Sequence, residues 1–273
     1  MGDRPTPDGL RDHGRGGLRE TGVTGDARDR PVTALVTGAN QGIGREIAAR
    51  LAGLGMTVLL GARDPRRGEE AARALRAAGG DVRAVLLDVT DAVSIKGAAQ
   101  HVGERFGVLD VLVNNAGILG DPAGQAPGTA ELDVVRQVFE TNVFGVIGVT
   151  TAMIPYLLRS PAGRVVNVTS GLGSLTLMSE PEGLFGGRPA SVAYVPSKTA
   201  LNSLTVQYAR ELRPHGILVN AADPGLCATA FTRGVPGVTR TAADGAAIAV
   251  RLATLPADGP TGGCFGESGP LPW

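Results

Sequence analysis

From Val32 onward, short runs of β-branched residues and leucine alternate with alanine-rich amphipathic stretches. Parallel strands joined by crossover helices read this way, because both faces of such strands are covered. The pattern predicts strands over 32–37, 57–61, 82–87, 108–114, 164–169 and 217–221, with a short last one over 262–265. Helical segments fall between them, notably 45–54, 66–78, 132–158 and 196–212. Together they predict an α/β fold, a doubly wound parallel sheet of the Rossmann type, as a single domain over residues 31–273. Neither an internal repeat nor an interdomain linker interrupts it. Residues 1–30 are rich in Gly, Arg and Asp and nearly devoid of large apolar side chains. Such a segment cannot repay the entropy of ordering, so it is expected to be a disordered leader.

Composition narrows the partners. Lys and Arg number 26 against 26 Asp and Glu, so no overall field would hold the chain on nucleic acid or an anionic membrane. A small molecule is the expected partner, and self-association stays open. The two cysteines, Cys227 and Cys264, show neither a CxxC spacing nor the density of a disulfide-stapled domain, which points to a reducing, cytoplasmic setting. No apolar run reaches the ~18 residues of a membrane span. His13, His101 and His215 are scattered without ligand spacing, so no metal is expected.

Between the first strand and the first helix lies Thr37-Gly38-Ala39-Asn40-Gln41-Gly42-Ile43-Gly44. Glycines are needed there if backbone N–H groups and a helix N-terminus are to approach a pyrophosphate. A glycine-rich turn is common by itself; following a strand and opening a helix is the confirming context. The turn resembles the TGxxxGxG form of the short-chain dehydrogenase/reductase family, and the resemblance recurs in order along almost the whole chain from Val32. It takes in Asp88-Val89 after the third strand, Asn114-Asn115-Ala116-Gly117 after the fourth and Asn142 on a long helix. It continues with Ser170 after the fifth strand, Tyr194-Val195-Pro196-Ser197-Lys198, and Pro224-Gly225 after the sixth. The resemblance implies a carbonyl-reductase-like, NADP-dependent member. It assigns Asp88 to the adenine, Asn115 to the adenosine ribose, Pro224 and Gly225 to the turn passing the nicotinamide, and Thr229 to its carboxamide.

The choice of cofactor turns on the end of the second strand, Leu59-Leu60-Gly61-Ala62-Arg63. An enzyme using NAD would carry a carboxylate there for the ribose hydroxyls; Ala62 occupies the position. Arg63 follows, and a guanidinium binds a 2′-phosphate through paired, charge-assisted hydrogen bonds. Arg45 is a second cation in reach. NADP(H) is therefore expected, while Asp64 keeps NAD open should its carboxylate turn to the ribose.

Tyr194 and Lys198 are four residues apart, so on a helix their polar ends share a face. Pro196 between them is tolerable only in a first helical turn, which puts Tyr194 at the mouth of the helix. A neighbouring ammonium is expected to lower the phenol's pKa toward the working pH. Ser170 ends its strand at the edge where such sheets bind ligands and can hold a substrate oxygen; Thr169 is a rival. The family pattern favours the serine just before Gly171, and it assigns Asn142 to a water that links solvent with the lysine.

These residues imply hydride transfer between nicotinamide C4 and a ketone or aldehyde carbonyl, with Tyr194 as acid/base. Between Ser170 and Tyr194 runs a segment with Leu172, Leu175, Leu177, Met178, Leu184 and Phe185. It reads either as the wall for a bulky, apolar substrate or as surface packing, with Phe231 and 226–237 as a lid. Two other functions stay open: an enone or imine reductase on the same site, and a non-catalytic NADPH-binding sensor or scaffold.

Overall fold

The structure, a computed structural model, describes residues 30–233, 235 and 237–273; the leader lies outside them apart from Arg30. Pro31–Trp273 form one compact unit. Eight strands make one sheet: β1 (Thr33–Val36), β2 (Thr57–Ala62), β3 (Val82–Leu86), β4 (Val111–Asn114), β5 (Arg164–Val168), β6 (Leu218–Ala222), β7 (Cys264–Gly266) and β8 (Gly269–Leu271). Their order is β3-β2-β1-β4-β5-β6-β7-β8. Seven are parallel; β8 runs antiparallel to β7.

The helices are α1 (Gly42–Gly53), α2 (Pro65–Ala77), α3 (Ala92–Arg105), α4 (Leu132–Phe139), α5 (Gly145–Leu157), α6 (Leu175–Met178), α7 (Tyr194–Leu212) and α8 (Ala242–Ala253). They form two layers because successive strand residues face opposite sides. In β1, Ala34 and Val36 join Ile47, Leu51, Leu75 and Leu252, from α1, α2 and α8. Leu35 between them joins Ile95, Val149, Met153 and Leu212, from α3, α5 and α7. The doubly wound expectation therefore holds. Because β1 sits between β2 and β4, the chain reverses direction along the sheet at β1/β4. In sheets of this kind ligands bind at the carboxyl ends of the strands at such a reversal.

Three details depart from the sequence reading. A turn of π-helix, Glu140–Phe144, interrupts the long helix between α4 and α5. At its end Gly145 presses on Val89, where a Cβ would stand 2.9 Å from the Val89 carbonyl oxygen. The continuous helix Leu132–Leu157 is long and apolar enough, by length and composition alone, to cross a membrane, contrary to the expectation of no such stretch. That apolarity serves the core: Val143, Val146, Val149, Met153 and Leu157 are buried. Finally, β8 is an added edge strand.

Candidate active site

The glycine turn is held open by its neighbours. Gly38 and Gly42 have φ of 61° and 57°, a region that only glycine visits cheaply. Thr37 Oγ1 accepts the N–H groups of Asn115 (3.0 Å) and Ala116 (2.9 Å). Asn115 Nδ2 donates to the carbonyls of Thr37 (2.9 Å) and Gly38 (3.2 Å). A Cβ on Gly44 would stand 2.3 Å from that nitrogen. Asn115, expected at the ribose, thus braces the turn with its amide.

The start of α1, which follows this turn, carries no side-chain cap. The N-caps of α2, α3 and α8 (Asp64, Asp91 and Thr241) accept helix N–H groups with their side chains, whereas Gln41 at α1 makes no such bond and no acid lies in its first turn. The first N–H groups of α1 and its dipole are left for a phosphate. Asn40, Gln41 and Ile43 carry the backbone of this cradle, and Thr229 puts its methyl 3.8 Å from the place of a Gly42 Cβ.

At the end of β2, Ala62 is buried and Arg63 is exposed; Arg63 has no ion-pair partner among the described residues. Asp64 is committed elsewhere. Its Oδ1 caps α2 by accepting from Arg66 N (2.9 Å) and Arg67 N (3.1 Å). The Arg67 N–H bond is the main cause holding its carboxyl below the usual range. Turning the whole carboxylate toward a ribose would disturb this cap, whereas the exposed Arg63 gives up no described ion pair to meet an anion. Arg45 reaches Glu46 Oε1 at 3.4 Å. Asp88 is occupied in its own turn, accepting from Thr90 N (2.9 Å) and Thr90 Oγ1 (2.7 Å).

Helix α7 brings the reactive groups together. Tyr194 is its first residue and Pro196 falls in the first turn, as the sequence requires. Tyr194, Ser197 and Lys198 are all buried. Burial pushes the Tyr194 phenol up, a hydrogen bond with the Ser170 hydroxyl opposes that, and the Asp223 carboxylate adds to it. The lowering expected from Lys198 is absent. Burial dominates instead, and it also pushes the Lys198 ammonium down to about 8, against a smaller upward pull from Asp223. Lys198 Nζ lies 5.8 Å from the centre of the Tyr194 ring and donates to the Val168 carbonyl at 2.9 Å. Ser170 Oγ accepts from Leu172 N (3.2 Å). Its rival Thr169 is buried and gives its hydroxyl to Asn202 Oδ1 at 2.6 Å, which removes it from the reacting edge.

Asn142, in the π turn, meets protein groups directly. Its Oδ1 accepts Ile118 N (2.8 Å), and its Nδ2 donates to Ile118 O (2.9 Å) and Ser197 Oγ (3.0 Å). Ser197 Oγ donates in turn to the Tyr194 backbone carbonyl at 2.6 Å. The link from Asn142 to the reactive helix therefore runs through Ser197 and the protein backbone. Gly117 lies between, where a Cβ would stand 3.3 Å from Asn142 Oδ1 and 3.6 Å from Lys198 Nζ. Pro224 and Gly225 (φ 68°) follow β6. Phe231 stands 5.6 Å from the Tyr194 ring.

Two residues were not read from the sequence. Gln125 is buried and bonds across loops to Leu119, Asp121, Ser191 and Tyr194. Asp223 influences both Tyr194 and Lys198; its place directly before Pro224-Gly225 was the available signal.

The fold and this cluster define a dinucleotide-binding oxidoreductase of the short-chain type, and the chain belongs to the short-chain dehydrogenase/reductase family. The family pattern described as short chain dehydrogenase matches residues 32–237. A short-chain dehydrogenase of Penicillium roqueforti, anuI, is 39% identical over 225 residues, which is 81% of this chain and 87% of that protein. Among solved structures, the NADPH-bound carbonyl reductase from chicken fatty liver has a TM-score of 0.78 at 29% identity, covering 89% of this chain and 100% of that one. Salutaridine reductase from Papaver somniferum has a TM-score of 0.74 at 30% identity, covering 86% and 99%.

Proposed function

We propose that this chain reduces the carbonyl of a ketone or aldehyde to an alcohol, reversibly and with NADP(H). The observation that carries the reading is the buried pair Tyr194 and Lys198 in the first turns of α7, with Lys198 Nζ 5.8 Å from the centre of the Tyr194 ring. NADP(H), when bound, supplies or takes up the hydride. Gly38, Asn40, Gln41, Gly42, Ile43 and Gly44 would hold its pyrophosphate and Arg63 its 2′-phosphate. Asp88, Val89, Asn115, Ala116 and Gly117 would line the adenosine side, and Pro224, Gly225 and Thr229 the nicotinamide side. The NADPH carried by the chicken carbonyl reductase supports the choice of cofactor.

In this reading Ser170 holds the carbonyl oxygen and Tyr194 donates the proton to it. A phenol held protonated through neutral pH is in the form that reduction needs; alcohol oxidation needs the phenolate and gains as pH rises. Lys198, in its ammonium form, holds the ribose and stabilises the phenolate left after proton donation. Asn142 positions the helix through Ser197. A bulky, apolar substrate agrees with the exposure of Leu175, Leu184, Leu226 and Phe231 on the segments flanking Ser170 and following Pro224-Gly225. Self-association belongs to the same reading: Leu132 and Phe144 leave apolar surface exposed on the long helix, and sedimentation would read it.

The experiment is NADPH oxidation followed at 340 nm against a panel of aryl and alicyclic ketones. Turnover of at least one class is expected. Tight NADPH binding with no turnover across the panel would overturn the reading in favour of a sensor or scaffold.

A further inference from the structure

Asp223 directly follows β6, beside the Ser170-Gly171 turn. Its Oδ1 accepts Gly225 N at 3.1 Å, which fixes the direction of the carboxylate. Its Oδ2 faces Gly171, the residue after Ser170: a Cβ there would stand 3.1 Å from Oδ2 and 3.0 Å from Phe185 Cζ. Only a residue without a side chain lets the carboxylate and the ring share this wall. Phe231 adds a second ring on the Tyr194 side, 5.6 Å away. The ring of Phe185 already takes a cation, with the Arg188 guanidinium 5.9 Å from its centre. The field of Asp223 reaches the reactive groups, since it raises the proton affinity of both Tyr194 and Lys198.

We propose that Asp223 selects carbonyl substrates by charge, favouring a ketone that carries a cationic nitrogen near the carbonyl and rejecting one that carries a carboxylate there. This rests on the carbonyl-reductase reading. A carboxylate in a partly desolvated cleft attracts a cation and repels an anion far more than it would in water. The aromatic face of Phe231 adds cation–π attraction for the same group. Of the cations nearby, Lys198 is turned to the Val168 carbonyl, Arg240 is paired with Glu267, and Arg188 lies over the Phe185 ring.

The test uses the NADPH-loaded protein and three aryl ketones alike except for one substituent: trimethylammonium, tert-butyl or carboxylate. For the wild type, kcat/KM should be on the order of tenfold higher for the cation, and tenfold lower for the anion, than for the neutral ketone. Asp223→Asn should bring both ratios toward one, whatever it does to the absolute rate. Asp223→Ser, which keeps an acceptor for Gly225 N, serves if the asparagine variant folds poorly. Ratios near one in the wild type, or unchanged in the variants, overturn the proposal while the reductase reading stands. If no ketone is turned over, that reading falls. Charge selection is then judged from the affinities of the three ketones measured by NADPH fluorescence: the same order upholds it and equal affinities overturn it.

Discussion

Gln125 Oε1 accepts the backbone N–H of Tyr194 at 3.0 Å, so the first donor of the reactive helix is held by a side chain from the 3-10 turn Pro122–Gln125 that follows β4. The same oxygen takes the Ser191 hydroxyl at 2.7 Å, and Nε2 donates to Leu119 O (2.8 Å) and Asp121 O (3.1 Å). A helix start needs such partners, and Ala193, the residue at the cap, offers none.

Gln125→Ala should therefore cost about 1–3 kcal/mol of stability through buried groups left unpaired. It should also lower kcat, because Tyr194 loses its register against Ser170, while NADPH affinity stays unchanged. Thermal unfolding, kcat and cofactor titration check this together. A stability loss with kcat intact would reduce Gln125 to a structural role.

Cofactor choice should follow Arg63. Among the described residues its guanidinium has no ion-pair partner, and Asp64 is held in the cap of α2. Losing one charge-assisted contact costs about 1.5–3 kcal/mol, so Arg63→Ala should weaken NADPH by roughly 10- to 100-fold and leave NADH nearly untouched. Equal losses for both would remove the 2′-phosphate assignment.

The central parallel strands were legible because they are mostly apolar runs buried on both faces, and the ends of all seven fall within about three residues of expectation. The cofactor turn and the Tyr194/Lys198 pair were legible because each needs a local spacing. Strand β8 left no trace: Gly269-Pro270-Leu271 is three residues with two poor strand formers. The π turn at Asn142 depends on Gly145 packing against Val89, which no local pattern encodes. Gln125 was invisible for the same reason, since Ser191 and Tyr194 lie 66 and 69 residues away. The direction of the Tyr194 shift was misjudged because spacing reveals a neighbouring charge but not the burial that outweighs it.

Tyr194→Phe separates chemistry from packing. The ring keeps its contact with Phe231 and its place at the start of α7, so folding and NADPH affinity should survive. Only the proton donor is lost. General acid catalysis contributes about 10²–10⁴ in rate, and ketone-dependent NADPH oxidation should fall by that range or more. Near-wild-type turnover would place the acid elsewhere.

The pH dependence of cofactor binding should report Lys198. An exposed lysine keeps its charge to about pH 10.4, but burial pushes this ammonium down to about 8 in the free protein. If the charged form binds the dinucleotide, the Kd for NADPH should be flat below pH 8. Above it, each pH unit should raise Kd up to tenfold, because the proton must first be returned. Unfolding cannot mimic this through the same group. Between about pH 8 and 10.4 the unfolded chain holds more protons at Lys198 than the folded one, so this residue makes stability rise with pH there. Fluorescence titration of NADPH from pH 7 to about 9.5, with melting curves in parallel, reads both. Lys198→Met should bind more weakly at pH 7 and lose the rise above pH 8. A wild-type Kd that stays flat across the range would show that the cofactor does not use the ammonium, and Lys198 would then retain only its contact with Val168 and Tyr194.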